Sequence, residues 1–208
     1  GERVVGVKLG LTSEAKQRRM KVSSPVTGWL TDAMVLQSGG PVPVGELIHP
    51  RAEPEIALVL GRPLQGPGVT AESALAAVDR VVAGIEIIDS RYTDFRFTLA
   101  DVVADNASSA RFVLGDVSLD PSELDLVAEA VALTVDGEVV HRGTGADVQG
   151  HPAEALALAA NDLAQRGLRL EAGWIVLTGG ITDAAAMSVG TRVAANFSTL
   201  GTVVVTGG

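Results

Sequence analysis

The sequence predicts an α+β fold: one domain, 1–208, dominated by strands, with a few short helices. Three observations predict it. The 24 glycines fall largely at turn-like positions, which suits tight turns between strands better than a helical bundle. Hydrophobic residues make up 47% of the chain but aromatics only 3%, so one sizeable core must be built from Val, Leu, Ile and Ala. Asp136-Gly137, between two strand-like runs, is the strongest hairpin signal in the chain.

The elements follow in order. Val4 to Leu11 reads as a strand, with Gly6, Lys8 and Gly10 on one face and Val5, Val7, Leu9 and Leu11 on the other. Thr12 or Ser13 caps a short basic helix through about Met20. Ser38 to Pro41 is a turn, and Pro43 and Gly45 keep the run from Val42 to Ile48 from forming a long central strand. Glu53 to Leu60 is a strand, Gly61 to Gly68 a loop, and Thr70 to about Val82 has helical spacing with Thr70 as N-cap. Ala83 to Ile88 is a strand apolar on both faces, hence buried. Asp89 to Ser109 is polar and irregular with one helical turn near Leu99, and Arg111 to Leu114 is a strand. Leu126 to Val135 and Glu138 to Arg142 flank the hairpin turn. Pro152 to Arg166 is the clearest helix, with Leu156, Ala160 and Leu163 as a stripe and Gly167 as its stop. Trp174 to Leu177 and Val203 to Val205 are closing strands.

The net charge of −9 and the lack of a Lys/Arg block long enough to form a phosphate-binding patch argue against nucleic acid as a partner. There is no cysteine, which removes disulfides and thiolate metal sites and fits a reducing cytoplasm. No apolar run reaches the roughly 18 residues of a membrane span, and no signal peptide is visible. The chain begins at Gly1-Glu2 with Val4 already strand-like, so residues are expected ahead of Gly1.

Glu53 and Glu55 lie two apart on a strand, so both carboxylates leave one face, which continues as Ala57 and Val59. An exposed strand edge is one reading of such a pair. The apolar run that follows, and Glu86 alone inside Gly84-Ile85-Glu86-Ile87-Ile88, point to another. A buried, unpaired carboxylate costs several kcal/mol or takes up a proton. Arg91 is one possible partner for Glu86; a metal satisfies all three acids together. Three carboxylates suit a hard cation, Mg²⁺ or Mn²⁺, rather than zinc.

His49-Pro50-Arg51-Ala52-Glu53-Pro54-Glu55-Ile56-Ala57 resembles the metal-binding strand of the fumarylacetoacetate hydrolase superfamily. Gly84 to Tyr92 resembles the strand carrying its third acid, and Val103 to Ser109 and Leu177 to Thr182 match further motifs. The resemblance covers essentially the whole chain and is strongest to the 4-oxalocrotonate decarboxylase and 2-hydroxypentadienoate hydratase branch. It implies a mixed β-roll, a metal on Glu53, Glu55 and Glu86, and a small 2-oxo dicarboxylic acid as ligand. Family members usually begin with a helical segment ahead of the Lys8 strand, so the resemblance implies such a segment among the residues expected before Gly1.

Between Gly6 and Gly10, Lys8 reads either as a surface lysine or as the base of a pocket. The family's G-x-K-x-G-L-T segment implies an active-site lysine able to stabilise an enolate or move a proton. Asp89, Arg91, Asp105 and Ser108 are expected on loops lining the site, although turn and capping chemistry explains Asp and Ser equally well. Thr178, Gly179 and Gly180 are expected to offer N–H groups to a substrate carboxylate, or to form a plain turn. His151 reads as structural or capping.

The resemblance further implies decarboxylation of 2-oxo-3-hexenedioate to 2-hydroxypenta-2,4-dienoate. Hydratase relatives tend to carry an acid in the segment that here reads Ser24-Pro25-Val26-Thr27-Gly28, where Val26 stands in its place; an apolar residue suits CO₂ loss better than water activation. Hydration of 2-hydroxypenta-2,4-dienoate is the alternative. A non-catalytic subunit docking to a hydratase is a third reading, opposed by the intact glutamates and Lys8. A homo-oligomer or a complex with a related hydratase is the expected assembly.

Overall fold

In the computed structural model, described for residues 1–12 and 25–208, two sheets pack together. The strands are β1 (Val4–Gly10), β2 (Val26–Thr31), β3 (Pro41–Val42), β4 (Arg51–Leu60), β5 (Val78–Ile88), β6 (Ser109–Leu119), β7 (Ala130–Val135), β8 (Glu138–Thr144), β9 (Ile175–Leu177), β10 (Ala185–Ala186), β11 (Arg192–Phe197) and β12 (Thr202–Gly207). One sheet runs β2-β1-β9-β4-β5-β6, with β10 pairing the start of β4; the other runs β3-β12-β11-β7-β8. The β1–β9 and β3–β12 pairs are parallel, the rest antiparallel.

Period-two alternation divides the larger sheet. Ile56, Leu58 and Leu60 of β4, Val81, Ala83, Ile85 and Ile87 of β5, and Val7 and Leu9 of β1 enter the main core. That core also takes Val193, Ala195, Val203 and Val205 from the smaller sheet, and Leu156, Ala160 and Leu163 from the helix Pro152–Gln165. The opposite face of the larger sheet carries a smaller apolar cluster that includes Ala57, Val59, Val82, Phe112 and Leu177. Lys8 is in register with Leu177, and Leu177 with Ala57, so Lys8 and the odd-numbered residues of β4 share this second face.

Most elements follow the sequence reading. Asp136 and Gly137 have φ of 51° and 92° at the β7–β8 turn, as a two-residue hairpin of the primed type requires. Pro152 opens its helix, His151 Nδ1 accepts from the Ala153 N–H, and Gly167 follows its end with φ 70°. A helix at Leu99–Ala104 occupies the expected turn.

The helix expected from Thr70 to Val82 is corrected. Thr70 does cap it, accepting from Ser73 N, but it ends after Ala71–Leu75, and Val78 already belongs to β5. Val81 and Val82 pair with Leu58 and Ala57 of β4, and these sheet pairings override local helical spacing. The run from Leu126 becomes a strand only at Ala130, and β2 and β11 were not anticipated. The capped helix expected from Thr12 or Ser13 to Met20 lies outside the described residues. No helix among the described residues is long and apolar enough to cross a membrane.

Backbone approach fixes β1 in place. A Cβ on Gly6 would lie 1.9 Å from the Ile175 carbonyl oxygen, whereas one on Gly45 would meet nothing within 4 Å. Gly6→Ala should therefore lower stability by about 1–3 kcal/mol or more, as overpacking does. Gly45→Ala should stay within about 0.5 kcal/mol, as surface changes do. Urea denaturation of both variants checks the contrast; equal effects contradict the packing of β1 on β9.

Candidate metal centre

Register brings the acids together. Glu53 of β4 lies directly opposite Glu86 of β5, and Glu55 opposite Gly84. Since β9 ends at Leu177, level with Ala57, Glu55 and Glu53 lie beyond its end, where the chain turns through Thr178 to Gly180. One carboxylate oxygen from each of Glu53, Glu55 and Glu86 lies within 4.8 Å of the others, and all three residues are buried. Like charges directly opposite on a sheet repel, so this arrangement calls for positive charge.

Lys8 supplies part of it. The residue is only 3% exposed, its Nζ stands 3.0 Å from Glu86 Oε2, and it donates to the Ala107 carbonyl at 2.9 Å. Ser109 Oγ donates to Glu86 Oε1 at 2.7 Å, and the Gly179 N–H donates to Glu55 Oε2 at 2.6 Å. Glu55 Oε1 and Glu86 Oε2 are buried without an aligned hydrogen bond. Burial draws the Lys8 pKa down, but Glu86, Glu55 and Glu53 outweigh it and hold the ammonium above its ordinary value. Burial and then Glu86 push the Glu55 carboxyl well above the usual carboxylate range, which Lys8 offsets only in part. A buried carboxylate with an unbonded oxygen and a raised pKa, beside two more carboxylates, fits a hard divalent cation.

The backbone is shaped to this cluster. A Cβ on Gly180 would come within 2.8 Å of the Glu53 carboxyl carbon, so residue 180 must be glycine for Glu53 to keep its place. Asn106, Ala107 and Ser108 have φ of 50°, 53° and 59°, three successive left-handed residues. Each costs about 1–2 kcal/mol. Asn106 anchors the run by bonding both the N–H and the carbonyl of Trp29, and the run presents the Ala107 carbonyl to Lys8.

Beside this centre is a cavity of about 140 Å³, lined by Lys8, Gly10, Leu11, Val26, Glu53, Ile88, Phe95, Phe97, Val102, Ala107 and Ser108. Ser108 Oγ is buried there without a hydrogen bond. The other expected substrate contacts are not among the described lining of this cavity. Asp89 accepts from Ile48 N and His49 N, both at 2.8 Å, which is capping chemistry. Asp105 is buried and takes Ser90 Oγ, Arg91 N and the Arg91 guanidinium, and the Arg91 side chain is 70% exposed. Asp89 and Arg91 line a separate cleft of about 570 Å³, whose described lining includes neither Lys8 nor any of the three glutamates. Thr178 Oγ1 donates to the Ile56 carbonyl, and the Gly179 N–H donates to Glu55. Ser109 carried no role in the sequence reading and Gly180 was read only within the Thr178 to Gly180 turn; their contacts with Glu86 and Glu53 come from the β5–β6 register and the course of the chain after β9.

The raised pKa of Glu55 sets the sign of a pH effect. Below that pKa the carboxyl holds a proton, which a cation must displace. Mg²⁺ affinity should rise with pH from the ordinary carboxylate range up to the raised Glu55 value, then level off, with proton release on binding. Titration calorimetry in buffers of differing ionisation enthalpy measures both; an affinity flat across that range contradicts the assignment.

Comparison with known proteins agrees with this geometry. The family model described as fumarylacetoacetate (FAA) hydrolase C-terminal matches residues 3–206. The chain is 45% identical to a 4-oxalocrotonate decarboxylase of Pseudomonas putida over 203 residues, 98% of this chain and 77% of that protein. It is 44% identical to a 2-hydroxyhexa-2,4-dienoate hydratase of Comamonas testosteroni over 194 residues, 92% of this chain and 74% of that one. The solved 4-oxalocrotonate decarboxylase from Pseudomonas putida G7, complexed with magnesium and adipate, superposes with a TM-score of 0.97 at 43% identity, covering 99% of this chain and 78% of that one. The mixed sheets, the acid-bearing strand pair and these matches together place the chain in the fumarylacetoacetate hydrolase family.

Proposed function

We propose that this chain is a divalent-metal-dependent decarboxylase that converts 2-oxo-3-hexenedioate to 2-hydroxypenta-2,4-dienoate and CO₂. Glu53, Glu55 and Glu86 hold Mg²⁺ or Mn²⁺, and Lys8 acts on the substrate. The observation that carries this reading is the convergence of the three buried glutamates and Lys8 on one sheet face beside a largely apolar cavity. The 45% identical relative named as a decarboxylase supports the same reaction.

A cation bound there supplies Lewis acidity to the keto group of a 2-oxo acid. The chain does the rest. As the bond between the distal carboxylate and its methylene carbon breaks, the electron pair moves through the conjugated chain toward the keto oxygen, and CO₂ leaves. The Lys8 ammonium faces that developing charge and gives a proton to the dienolate oxygen, forming the enol hydroxyl, and the Lys8 amine then regains a proton from solvent. Val26, Phe97 and Val102 line the cavity with apolar surface, which favours turning a charged carboxylate into neutral CO₂ and offers nothing to activate water. Ser108 Oγ, buried in the wall without a hydrogen bond, is assigned to the substrate. Gly179 positions Glu55, Thr178 holds the turn, and Asp89, Asp105 and Arg91 shape the loops around the site. In this reading residues 1–208 act as one catalytic domain in the cytoplasm, in a homo-oligomer or with a related hydratase.

Two outcomes test the reading. Supplied separately with the dicarboxylate and with 2-hydroxypenta-2,4-dienoate, the Mg²⁺-loaded enzyme should release CO₂ from the first and leave the second unhydrated. Rapid hydration of the diene with the dicarboxylate untouched makes the chain a hydratase and overturns the role given to Val26. Lys8→Met, which keeps most of the buried stem, should lower kcat by roughly 10²–10⁴-fold, the range for a lost acid–base group. Lys8→Ala should also destabilise the metal-free protein by about 3–5 kcal/mol, because Glu86 loses its buried partner. A Lys8→Met enzyme with normal kcat contradicts the assignment.

A further inference from the structure

We propose that Phe95 sets the length of acid that the Lys8 cavity accepts, and that Arg51 and His49 hold Phe95 in that position. The proposal rests on the reading that a 2-oxo dicarboxylate occupies this cavity. At about 140 Å³ the cavity is small beside the 300–1,000 Å³ usual for ligand pockets, so its walls decide which chain lengths fit. Most of its described walls come from strands, a helix or the anchored turn at Ala107 and Ser108, whereas Phe95 and Phe97 enter from the short stretch between β5 and the helix Leu99–Ala104.

The placement of Phe95 is specific. Asp94 and Phe95 have φ of 53° and 56°, two successive left-handed residues, so the backbone turns sharply where the ring is delivered. The Arg51 guanidinium carbon lies 4.3 Å from the centroid of the Phe95 ring, and the His49 ring 4.8 Å from it at 42°. A cation over an aromatic face is attracted by the ring quadrupole. Both holding residues stand on fixed backbone. Arg51 is the first residue of β4, paired with Ile88 and Ala186, and on the same strand face as Glu53 and Glu55. The His49 N–H is bonded to Asp89. Among the described residues no carboxylate pairs with Arg51, so its contact with the ring is not drawn off by an ion pair. The strand that supplies two of the acids therefore also positions a wall of the cavity.

Titration calorimetry on the Mg²⁺-loaded protein tests this, with two saturated dicarboxylic acids, adipate and the longer suberate. Wild type should bind adipate and bind suberate about a hundred-fold more weakly, since each of the two surplus methylenes costs about ten-fold or more in a tight pocket. Phe95→Ala should bring the two acids within about two-fold by tightening suberate, and Phe95→Leu should fall between. Arg51→Leu should move the ratio in the same direction by releasing the ring. An unchanged ratio in folded Phe95→Ala and Phe95→Leu overturns the length role alone. Arg51→Leu that weakens both acids equally overturns the holding role and makes Arg51 a direct carboxylate ligand. Failure of wild type to bind adipate at all instead removes the dicarboxylate reading on which the proposal rests.

Discussion

The structure is organised around the burial of three carboxylates on one face of a sheet. Folding removes Glu53, Glu55 and Glu86 from water and sets two of them directly opposite each other. An uncompensated buried charge costs several kcal/mol, a large part of the roughly 5–15 kcal/mol by which a domain of this kind is stable. Such a cluster persists because its surroundings answer its charge. Lys8 answers Glu86 from a neighbouring part of the same sheet, Ser109 and the Gly179 N–H bind single oxygens, and Glu55 Oε1 stays without a hydrogen bond, as a cation ligand would.

Much of the surrounding chain reads as a consequence of that demand. The strand β9 is three residues long, and its end leaves room for the chain to turn back with an N–H aimed at Glu55. Gly180 yields its side-chain volume to Glu53, and Gly28 lets β2 approach the Asn106 carbonyl, where a Cβ would stand 2.6 Å away. The left-handed run Asn106 to Ser108 is unfavourable locally, yet it delivers the Ala107 carbonyl to Lys8 and leaves the Ser108 hydroxyl facing the cavity. Strain of this kind is held in place by the packed sheet around it and concentrates where ligands bind.

The chemistry was more legible in the sequence than the scaffold details. Glu53 and Glu55 announced a shared face by their spacing, and Glu86 announced itself as a charge among Ile residues. Lys8 between glycines read equally as a surface lysine until the family motif favoured the site, whereas the Asp136-Gly137 hairpin and the Pro152 helix carried their own turn and cap signals. What failed was local reading where long-range pairing decides. Residues 76 to 82 have helical spacing, but Val78 to Val82 are drawn into the edge-to-edge ladder with β4. Asp89 and Asp105, expected on loops beside the site or as turn and cap residues, make the hydrogen bonds of loop caps. The roles of Ser109 and Gly180 depend on which strands lie side by side, and no local pattern encodes that.

The central claim is that one divalent cation completes the carboxylate cluster. The most direct measurement is anomalous X-ray scattering from crystals of the protein loaded with Mn²⁺. The account predicts one strong anomalous peak per chain, touched by an oxygen from each of Glu53, Glu55 and Glu86. A peak on other residues, or full-occupancy Mn²⁺ that leaves Glu55 without contact, contradicts it.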